Sequence, residues 1–474
     1  MSADCETLMR WLLQEGTLVY LTGEAGTGKT YLVRQLLQRW PTPSHADHPT
    51  VAVVAPTGLA AEHIGGQTIH SYLHIPVKPY ELHYQCDGLL SLNPNDFATY
   101  EGKDQSAYIA QIKALKLLII DEISMVRCDL MEIVEARLRM LRESPKPFGG
   151  LSLLLVGDLH QLPPVCDPNQ RDYLLINTDH RSLYFFDAHC LHHPDVKLKF
   201  MELKEVKRVQ QGKKKSAELR QMLHEIREGQ WTPETQNIVE QRYDLVREHF
   251  EPRAGHKYLC THRIRAAIIN QWMLRYLPGQ FVRIATRFAG DGEAYMNERP
   301  ALLLKIGAPV MFTDTDNEAT QKERRRFCKG TFGLVTQICE EHLMIAIRQA
   351  DGSYKQERIT RMRWNKDKQP QLERIPRSQY NQVRNYISQY PIELAWAITI
   401  HKSQGSSLDS VFVDAQELFD PGQLYVALSR ATSMAGLHLL APLTKPQIQV
   451  NPSVAKFEAA MRKQSRHDHK PPKP

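Results

Sequence analysis

Residues 18–30 read LVYLTGEAGTGKT, and the class of fold follows from these thirteen residues. The apolar run at 18–21 predicts a short buried strand. The GEAGTGKT that follows at 23–30 satisfies the GxxxxGK[ST] phosphate-binding pattern and stands directly before a helical pattern. Glycines in such a loop let backbone amides approach phosphate groups at the amino end of a helix, where the helix dipole favours anions. The stretch therefore predicts a nucleotide-binding α/β domain.

The first half of the chain continues to alternate strand-like apolar runs with helical patterns, which predicts a parallel sheet of β-α-β units. The runs 51–55, 117–120 and 151–156 are nearly continuous in apolar residues, as strands covered on both faces require. Each predicted strand ends at a polar or glycine-containing cluster: Thr22-Gly23, Pro56-Thr57-Gly58, Asp121-Glu122 and Gly157-Asp158. Ligands of open α/β sheets bind beyond the carboxyl ends of the strands, so we expect these clusters to line one phosphate site.

The side chains of these clusters suit the hydrolysis of a nucleotide. Lys29 is predicted to neutralise the β- and γ-phosphates, and Thr30 to ligate Mg²⁺ through its hydroxyl. Asp121 and Glu122 end a strand as a Walker B pair does, with Asp121 in the metal shell and Glu122 polarising the attacking water. The alternative for this pair is a solvated cap of the next helix. Gln161 is a candidate to bond the γ-phosphate or the water; its alternative is a solvated side chain in a proline-stiffened loop.

Composition narrows the class of protein without choosing a function. The chain has 474 residues, and 60 Lys+Arg against 53 Asp+Glu leave a net charge of +7. The length predicts about three domains, and so mild a charge excess is compatible with nucleic acid without demanding it. We expect no membrane segment, because no apolar run approaches ~20 residues, and no secretory leader. The eight cysteines form no close pairs, which favours reduced intracellular thiols over disulfides or zinc.

The second half of the chain predicts further α/β structure with a β-rich insertion. After a basic stretch beyond residue 200, a second α/β pattern begins at 257–260 and resumes at 394–440. Between them, residues 330–391 have a strand-like period and predict a small inserted β-barrel. The predicted domains are 1–197, with a small insertion at 74–112, and 198–446, followed by a partly disordered tail at 447–474.

The series of motifs resembles the PIF-one family of superfamily 1B DNA helicases, with RecD-like helicases as close relatives. Beyond the phosphate loop, the matching segments are APTGLAA at 55–61, GGQTIHS at 65–71, DEIS at 121–124, PFGG at 147–150, GDLHQLPPV at 157–165, HKSQG at 401–405 and YVALSRA at 425–431. The resemblance implies two RecA-like motor domains with parallel sheets, ATP between them, and a Src-homology-type β-barrel inserted in the second.

The resemblance also assigns roles to individual residues. It implies a catalytic set of Lys29, Glu122, Gln161, Arg208 and Arg430, in which the two arginines reach across from the second motor domain. It implies that Thr30 and Asp121 hold Mg²⁺. The residues that it implies bind ATP are Gly23, Ala25, Gly26, Thr27, Gly28, Lys29, Thr30, Gln404 and Gly405.

Contacts with single-stranded DNA are implied for Thr57, His70, Tyr72, His401, Lys402 and Ser403. Residues 74–112 are expected to carry the strand-separating wedge. The basic and aromatic clusters at 324–327 and 361–364 indicate either a nucleic-acid track or a solvated charged face. Lys213-Lys214-Lys215 is predicted to be a surface loop. Gln14 is the nearest candidate for the adenine-reading glutamine of the family, but it lies closer to the phosphate loop than that residue usually does.

The expected function is an ATP-dependent DNA helicase that translocates 5′→3′ on single-stranded DNA, with single-stranded and forked DNA as partners. We expect a monomer, located in the cytoplasm on the nucleoid if the source is bacterial, with the nucleus as the eukaryotic alternative. Two other functions stay open. One is a RecD-like subunit that needs protein partners for activity, and the other is a nucleic-acid-binding module with a degenerate motor.

Overall fold

The computed structural model describes residues 2–41, 47–76, 82–85, 87–92, 105–204, 217–249, 256–316, 326–349, 352–365, 373–375 and 377–468. The chain divides into two compact units. Unit 1 comprises Met1–Gln241, Glu417–Met434 and Pro442–Pro474, and unit 2 comprises Arg242–Gln416 and Ala435–Ala441.

Helices and strands are numbered along the chain. The α-helices are α1 Ala3–Leu12, α2 Lys29–Arg39, α3 Gly58–Ile64, α4 Ile69–Tyr72, α5 Gln105–Ala114, α6 Cys128–Arg142, α7 Pro168–Asp172, α8 Ala217–Arg227, α9 Pro233–His249, α10 Arg263–Tyr276, α11 Gln423–Ser429 and α12 Pro452–Asp468. The strands that build unit 1 are β1 Leu18–Gly23, β2 Val51–Ala55, β3 Gln67–Thr68, β4 His83–Tyr84, β5 Leu90–Ser91, β6 Leu117–Ile120, β7 Ser152–Val156 and β8 Leu198–Leu203. The strands of unit 2 are β9 Lys257–Cys260, β10 Val282–Ile284, β11 Arg287–Ala289, β12 Leu302–Leu304, β13 Pro309–Phe312, β14 Phe332–Ile338, β15 Leu343–Arg348, β16 Tyr354–Ile359, β17 Met362–Asn365, β18 Glu373–Arg374, β19 Tyr386–Gln389, β20 Ile392–Leu394, β21 Ala397–Thr399, β22 Val411–Asp414 and β23 Leu437–Leu439.

Unit 1 is built on a six-stranded parallel sheet in the order β3-β2-β6-β7-β1-β8. Successive side chains of a strand point to opposite faces, and both faces of this sheet are covered. In β1, Leu18 and Tyr20 belong to one hydrophobic core, whereas Val19 and Leu21 belong to a second core together with α1 and α2. This double cover explains the continuous apolar runs of the sequence, and it confirms the predicted parallel α/β fold.

Unit 2 contains a parallel sheet in the order β21-β9-β22-β23 and three antiparallel sheets, of which the smallest pairs β10 with β12. The two larger antiparallel sheets have the orders β16-β15-β14-β13-β20 and β11-β19-β17-β18, and they share one core that includes Phe312, Trp364 and Ile387. The three strands predicted from 332 to 359 are confirmed. The insertion is larger than predicted, because β11 and β13 come before residue 330. Closure of these sheets into a Src-homology-type barrel stays a prediction.

Two predicted boundaries differ from the structure. The division at 197/198 does not separate the units, because β8 pairs in parallel with β1 along its whole length and completes the first sheet. The tail predicted at 447–474 contains the helix α12, in which Val454 and Met461 are buried in the core of unit 1. Val454, Phe457 and Met461 recur at helical spacing, and the polar residues between and after them concealed this pattern. Residues 469–474 lie outside the described part.

The predicted wedge region is described only in part, since residues 77–81, 86 and 93–104 lie outside the described ranges. Its described residues form an antiparallel hairpin of β4 and β5, followed by α5. Leu82, Leu90 and Ile112 anchor it in the core of unit 1. Among the described residues, we find no helix with the length and apolarity needed to cross a membrane.

Candidate active site

The phosphate loop joins β1 to α2, as the sequence predicts, and its glycines take conformations that other residues adopt with strain. Gly26 and Gly28 have φ angles of 94° and 92°, and Gly28 is the cap residue before α2. At Gly23, a Cβ atom would lie 2.7 Å from the carbonyl oxygen of Leu203 on β8. The loop therefore needs glycine both for its left-handed turns and for its close contact with the neighbouring strand.

Lys29 lies folded against the loop. Its Nζ donates hydrogen bonds to the carbonyl oxygens of Gly23, at 2.6 Å, and Glu24, at 3.1 Å. Burial lowers the pKa of the Lys29 ammonium, while the nearby carboxylates of Asp158 and Glu122 act in the opposite direction. Thr30, the second residue of α2, is exposed. A cation beside the loop and a free hydroxyl at the helix start are what phosphate and Mg²⁺ binding require.

Asp121 and Glu122 stand at the carboxyl end of β6. The Asp121 carboxylate accepts a hydrogen bond from the Glu122 amide at 3.0 Å, and Glu122 has a left-handed backbone with φ of 51°. The pKa of Asp121 is raised to about 7, mainly by burial and to a smaller extent by the charge of Glu122. Glu122 makes no side-chain cap to the short helix Ile123–Met125. The geometry thus offers no support for the alternative of a helix cap.

The loop that follows β7 packs beside the carboxylate pair. A Cβ atom on Gly157 would lie 2.9 Å from Cγ2 of Ile123, so this glycine allows the two loops to touch. The backbone amide of Gln161 donates to the carbonyl oxygen of Asp158 at 3.1 Å. Gln161 is buried, which argues against the solvated side chain considered as its alternative.

Helix α11 joins this site within unit 1. A Cβ atom on Gly422 would lie 2.5 Å from the carbonyl oxygen of His160, so the chain before α11 runs against the loop after β7. The Tyr425 hydroxyl accepts a hydrogen bond from the Ala25 amide of the phosphate loop at 2.9 Å and donates one to Asp158 at 3.0 Å. One phenol therefore connects the phosphate loop to the loop after β7.

Asp158 is fully buried and ionised. Arg227, at the end of α8, donates from Nε and Nη2 to its Oδ1 at 3.2 and 3.1 Å. Burial by itself raises the pKa of Asp158, but the charges of Arg227 and Lys29 outweigh it and lower the pKa to about 2. Asp158 stands in a cluster expected to line the phosphate site but had no assigned role, and neither Tyr425 nor Arg227 was predicted as a site residue. The first two stand inside quoted motifs, whereas nothing in the sequence around Arg227 marks it.

The two predicted arginine fingers have different outcomes. Arg208 lies outside the described residues. Arg430 was expected to come from the second domain, but the structure corrects this, since 417–434 belongs to unit 1. Arg430 is buried, and it donates to the carbonyl oxygen of Val426 at 2.9 Å and the hydroxyl of Ser429 at 2.8 Å. The physical reason is the packing of α11, whose residues are all buried.

The DNA-contact residues predicted in unit 1 are only partly available. Thr57 is half-buried on the loop after β2, and His70 is half-buried on α4, directly after β3. Burial, and after it the charge of Arg127, lower the pKa of His70, which favours its neutral form. Tyr72 is 9% exposed and packs in the core of unit 1. The structure contradicts the predicted DNA contact of Tyr72, because its ring packs in the core from the last position of α4.

The motif at 401–405 lies in unit 2 on the short helix His401–Ser403 and the turn after it. His401 and Lys402 are half-buried, and Lys402 pairs with Glu393. Ser403 is fully buried, and its hydroxyl donates to the Ile400 carbonyl oxygen at 2.7 Å. A DNA contact from the Ser403 side chain is therefore corrected to a structural role in the turn. Gln404 is buried and Gly405 has φ of 80°; their predicted contact with nucleotide stays a prediction.

Those of the remaining predicted residues that the structure describes contact neighbouring side chains. Arg326 donates to the buried carboxylate of Asp316 at 2.7 Å, and Arg363 lies over the rings of Tyr380 and Tyr386. These contacts favour structural roles over a free nucleic-acid track. Arg324, Arg325 and Lys213–Lys215 lie outside the described residues. Gln14 accepts a hydrogen bond from Lys199 at 3.3 Å through its side chain, which gives no sign of an adenine contact.

Two family models match this chain. Residues 6–237 match the PIF1-like helicase model, and residues 394–437 match the model of the UvrD-like helicase C-terminal domain. The chain is 30% identical to the ATP-dependent DNA helicase Pif1 of Bdellovibrio bacteriovorus, covering 94% of this chain and 89% of that protein. It is 31% identical to the ATP-dependent DNA helicase PIF1 of Homo sapiens, covering 98% of this chain and 64% of the human protein.

Solved structures of similar fold include Pif1 proteins on DNA. A structure of two coordinating Pif1 helicases unwinding forked double-stranded DNA has a TM-score of 0.75 at 26% identity and covers 98% of both chains. The Bacteroides Pif1 helicase in complex with ADP-AlF3 and single-stranded DNA has a TM-score of 0.72 at 27% identity, covering 98% of this chain and 97% of that one.

Proposed function

Because this chain belongs to the PIF1-like helicase family, we propose that it is an ATP-dependent DNA helicase that translocates 5′→3′ on single-stranded DNA and separates the duplex ahead of it. The observation that carries the proposal is the arrangement in unit 1, where Tyr425 and Asp158 connect the phosphate loop to the loop after β7. The direction of movement is the one that the family implies.

The phosphate loop binds the nucleotide in this proposal. The amides at the start of α2 receive the phosphate oxygens, and Lys29 exchanges its present contacts with Gly23 and Glu24 for the β- and γ-phosphates. The residues Gly23, Ala25, Gly26, Thr27, Gly28 and Thr30 complete the loop. Gln404 and Gly405 are proposed as further nucleotide contacts from unit 2.

Mg²⁺ fits the residues that are present. The carboxylate of Asp121 and the exposed hydroxyl of Thr30 are the hard oxygen ligands that this cation prefers. When bound, the cation supplies positive charge that offsets the charge on the phosphates. Burial and the charge of Glu122 raise the pKa of Asp121 and so disfavour its ionised form. A bound cation would stabilise that ionised form.

Hydrolysis then needs an oriented water molecule. The oxygen of the water molecule bonds to the γ-phosphorus while Glu122 accepts a proton from that water. The bond between the γ-phosphorus and the β–γ bridging oxygen breaks, and the products are ADP and inorganic phosphate. Gln161, on a backbone fixed by its bond to Asp158, orients the γ-phosphate or the water. Arg430 and Arg208 are proposed to offset the charge that develops on the transferred group.

DNA contact is proposed for Thr57 and His70 in unit 1 and for His401 and Lys402 in unit 2. Polar and cationic groups of this kind grip phosphates without reading sequence. The hairpin of β4 and β5 is proposed as part of the strand-separating wedge. The partner is single-stranded or forked DNA, the protein acts as a monomer, and its location is that of its DNA: the nucleoid in a bacterium.

Unwinding assays test the whole proposal. The purified chain, with ATP and Mg²⁺, is mixed with duplexes that carry either a 5′ or a 3′ single-stranded tail, and Lys29→Ala serves as the inactive control. We expect unwinding of the 5′-tailed duplex alone. A chain that hydrolyses ATP but unwinds neither substrate favours the RecD-like subunit, whereas one that binds DNA without releasing phosphate favours the degenerate motor. Unwinding from the 3′ tail would refute the direction.

A further inference from the structure

Helix α12 carries a buried carboxylate beside the candidate active site. Glu458 is 1% exposed. Its Oε1 accepts a hydrogen bond from the Tyr20 hydroxyl at 3.3 Å, while its Oε2 lies 3.2 Å from His160 Nε2 and 3.1 Å from an Arg462 nitrogen. Oε2 also lies 3.7 Å from Arg227 Nη2. Strand β1, the loop after β7 and helix α8 therefore all meet one side chain of α12.

Glu458 stays ionised in these surroundings. Burial raises the pKa of its carboxyl group, but the bond to His160 and the charge of Arg227 outweigh burial and lower the pKa. A buried carboxylate of this kind is tolerated only where partners satisfy it. The number of partners, drawn from separate elements, indicates a carboxylate that fixes the position of its neighbours.

Arg227 lies between Glu458 and the active site. Its guanidinium group donates to Asp158 on one side, approaches Glu458 on the other and pairs with Glu228 at 2.6 Å. From Asp158 the hydrogen bonds continue through Tyr425 to the amide of Ala25 in the phosphate loop. A continuous series of contacts, most of them buried, thus runs from α12 to the phosphate loop.

We propose that Glu458 is a positioning residue for ATP hydrolysis, which acts through Arg227, Asp158 and Tyr425 on the phosphate loop. Residue 458 lies outside both matched segments, 6–237 and 394–437, so the family pattern does not assign this role. The inference rests on the proposed function. Glu458 contacts groups that hold the loop rather than the loop itself, and small displacements of such groups lower turnover steeply.

The test compares the full chain with a set of variants in a phosphate-release assay stimulated by single-stranded DNA. Glu458→Gln keeps the shape of the side chain and removes its charge, and Tyr425→Phe removes the link to Ala25. We expect each to lower kcat about 5- to 20-fold with KM for ATP changed less than about threefold, because positioning acts on turnover. Lys456→Ala, at an exposed site of the same helix, is the matched control and should match the wild type.

The double variant Glu458→Gln/Tyr425→Phe separates positioning from general stability. If Glu458 acts through Tyr425, adding Glu458→Gln to Tyr425→Phe should lower kcat less than about twofold further, whereas independent effects would multiply. Multiplying effects, or an unchanged kcat in Glu458→Gln, would overturn the proposal. A wild-type chain without DNA-stimulated ATPase would refute the proposed function instead.

Thermal unfolding of each variant shows whether it is folded. A milder variant tests the proposal if Glu458→Gln is not. Tyr20→Phe removes only the hydroxyl that bonds Glu458. It should lower kcat about twofold, and that loss should vanish in the Tyr425→Phe background. If Glu458→Gln fails to fold, this pair of variants decides the question: a loss that persists beside Tyr425→Phe contradicts the proposal.

Discussion

Replacing Arg227 with methionine should destabilise unit 1 more than the loss of a surface ion pair does. Arg227 is 2% exposed and bonds Asp158, which is fully buried. Methionine keeps much of the apolar stem but leaves the Asp158 carboxylate without its cation. Removing one partner of a buried ion pair costs about 3–5 kcal/mol, because the other charge stays buried and uncompensated. In a unit of this size, about 2 °C of Tm per kcal/mol converts that loss to a fall of about 6–10 °C.

The assay is thermal unfolding followed by circular dichroism, with Lys113→Met as the matched control. Lys113 pairs with Glu143 at 2.7 Å, but both side chains are largely exposed, so its loss should cost less than about 1 kcal/mol. If Arg227→Met lowers Tm no more than Lys113→Met does, the assignment of a buried, ionised Asp158 is wrong.

The pH dependence of Tm gives a second test of the ion pair between Arg227 and Asp158. In the native chain the pKa of Asp158 is lowered to about 2, so its ionised form contributes stability above pH ~4 that is lost as the pH falls towards 2. Without Arg227, burial raises that pKa, and protonation then relieves the buried charge. The difference in Tm between wild type and Arg227→Met should therefore be largest near pH 7 and narrow on acidification. A difference in Tm that grows as the pH falls would contradict a buried, ionised Asp158.

Four further predictions concern the site and the wedge. Lys29→Ala should abolish ATP hydrolysis while single-stranded DNA binding, measured by fluorescence anisotropy, stays largely intact; equal loss of both would show that the lysine is misplaced. Arg430→Ala should lower turnover at least about 100-fold with little change in nucleotide affinity, as expected for a finger; an unchanged turnover number would remove it from that role. Because the pKa of Asp121 is raised to about 7, a proton competes with the cation below that pH, and Mn²⁺ binding followed by electron paramagnetic resonance should be about tenfold weaker at pH 6 than at pH 8; Asp121→Asn should remove this dependence. Trimming the turn between β4 and β5 should impair unwinding and spare DNA-stimulated ATPase, so that loss of ATPase would count against a wedge.

Much of the fold could be predicted from the sequence because local pattern and chemistry agree there. The apolar runs at β1, β2, β6 and β7 have no polar alternation, and only a doubly covered parallel sheet accommodates them. The phosphate loop was predictable for a similar reason, since its glycines serve a backbone geometry that few other residues adopt.

The parts that escaped prediction depend on contacts distant in sequence. Arg227 acquires its role from Asp158, 69 residues away, and Glu458 from His160, 298 residues away. Neither position has a local pattern that separates it from an ordinary helix residue. Tyr72 and Ser403 illustrate the opposite case. The resemblance predicted exposed contacts for them, but each residue ends a short helix that directs its side chain inward.

The path of the chain through the two units affects how the protein responds to cleavage. Residues 242–416 and 435–441 form unit 2, whereas α11 and α12, which follow most of them, return to unit 1. A protease that nicks unit 2 once produces two fragments, and each still contributes buried residues to the core or to the ion-pair network of unit 1. Such fragments should stay associated without a covalent link. For the same reason, a truncation after residue 241 removes Glu458, Tyr425 and two packed helices, so the matched segment 6–237 lacks part of the core of unit 1.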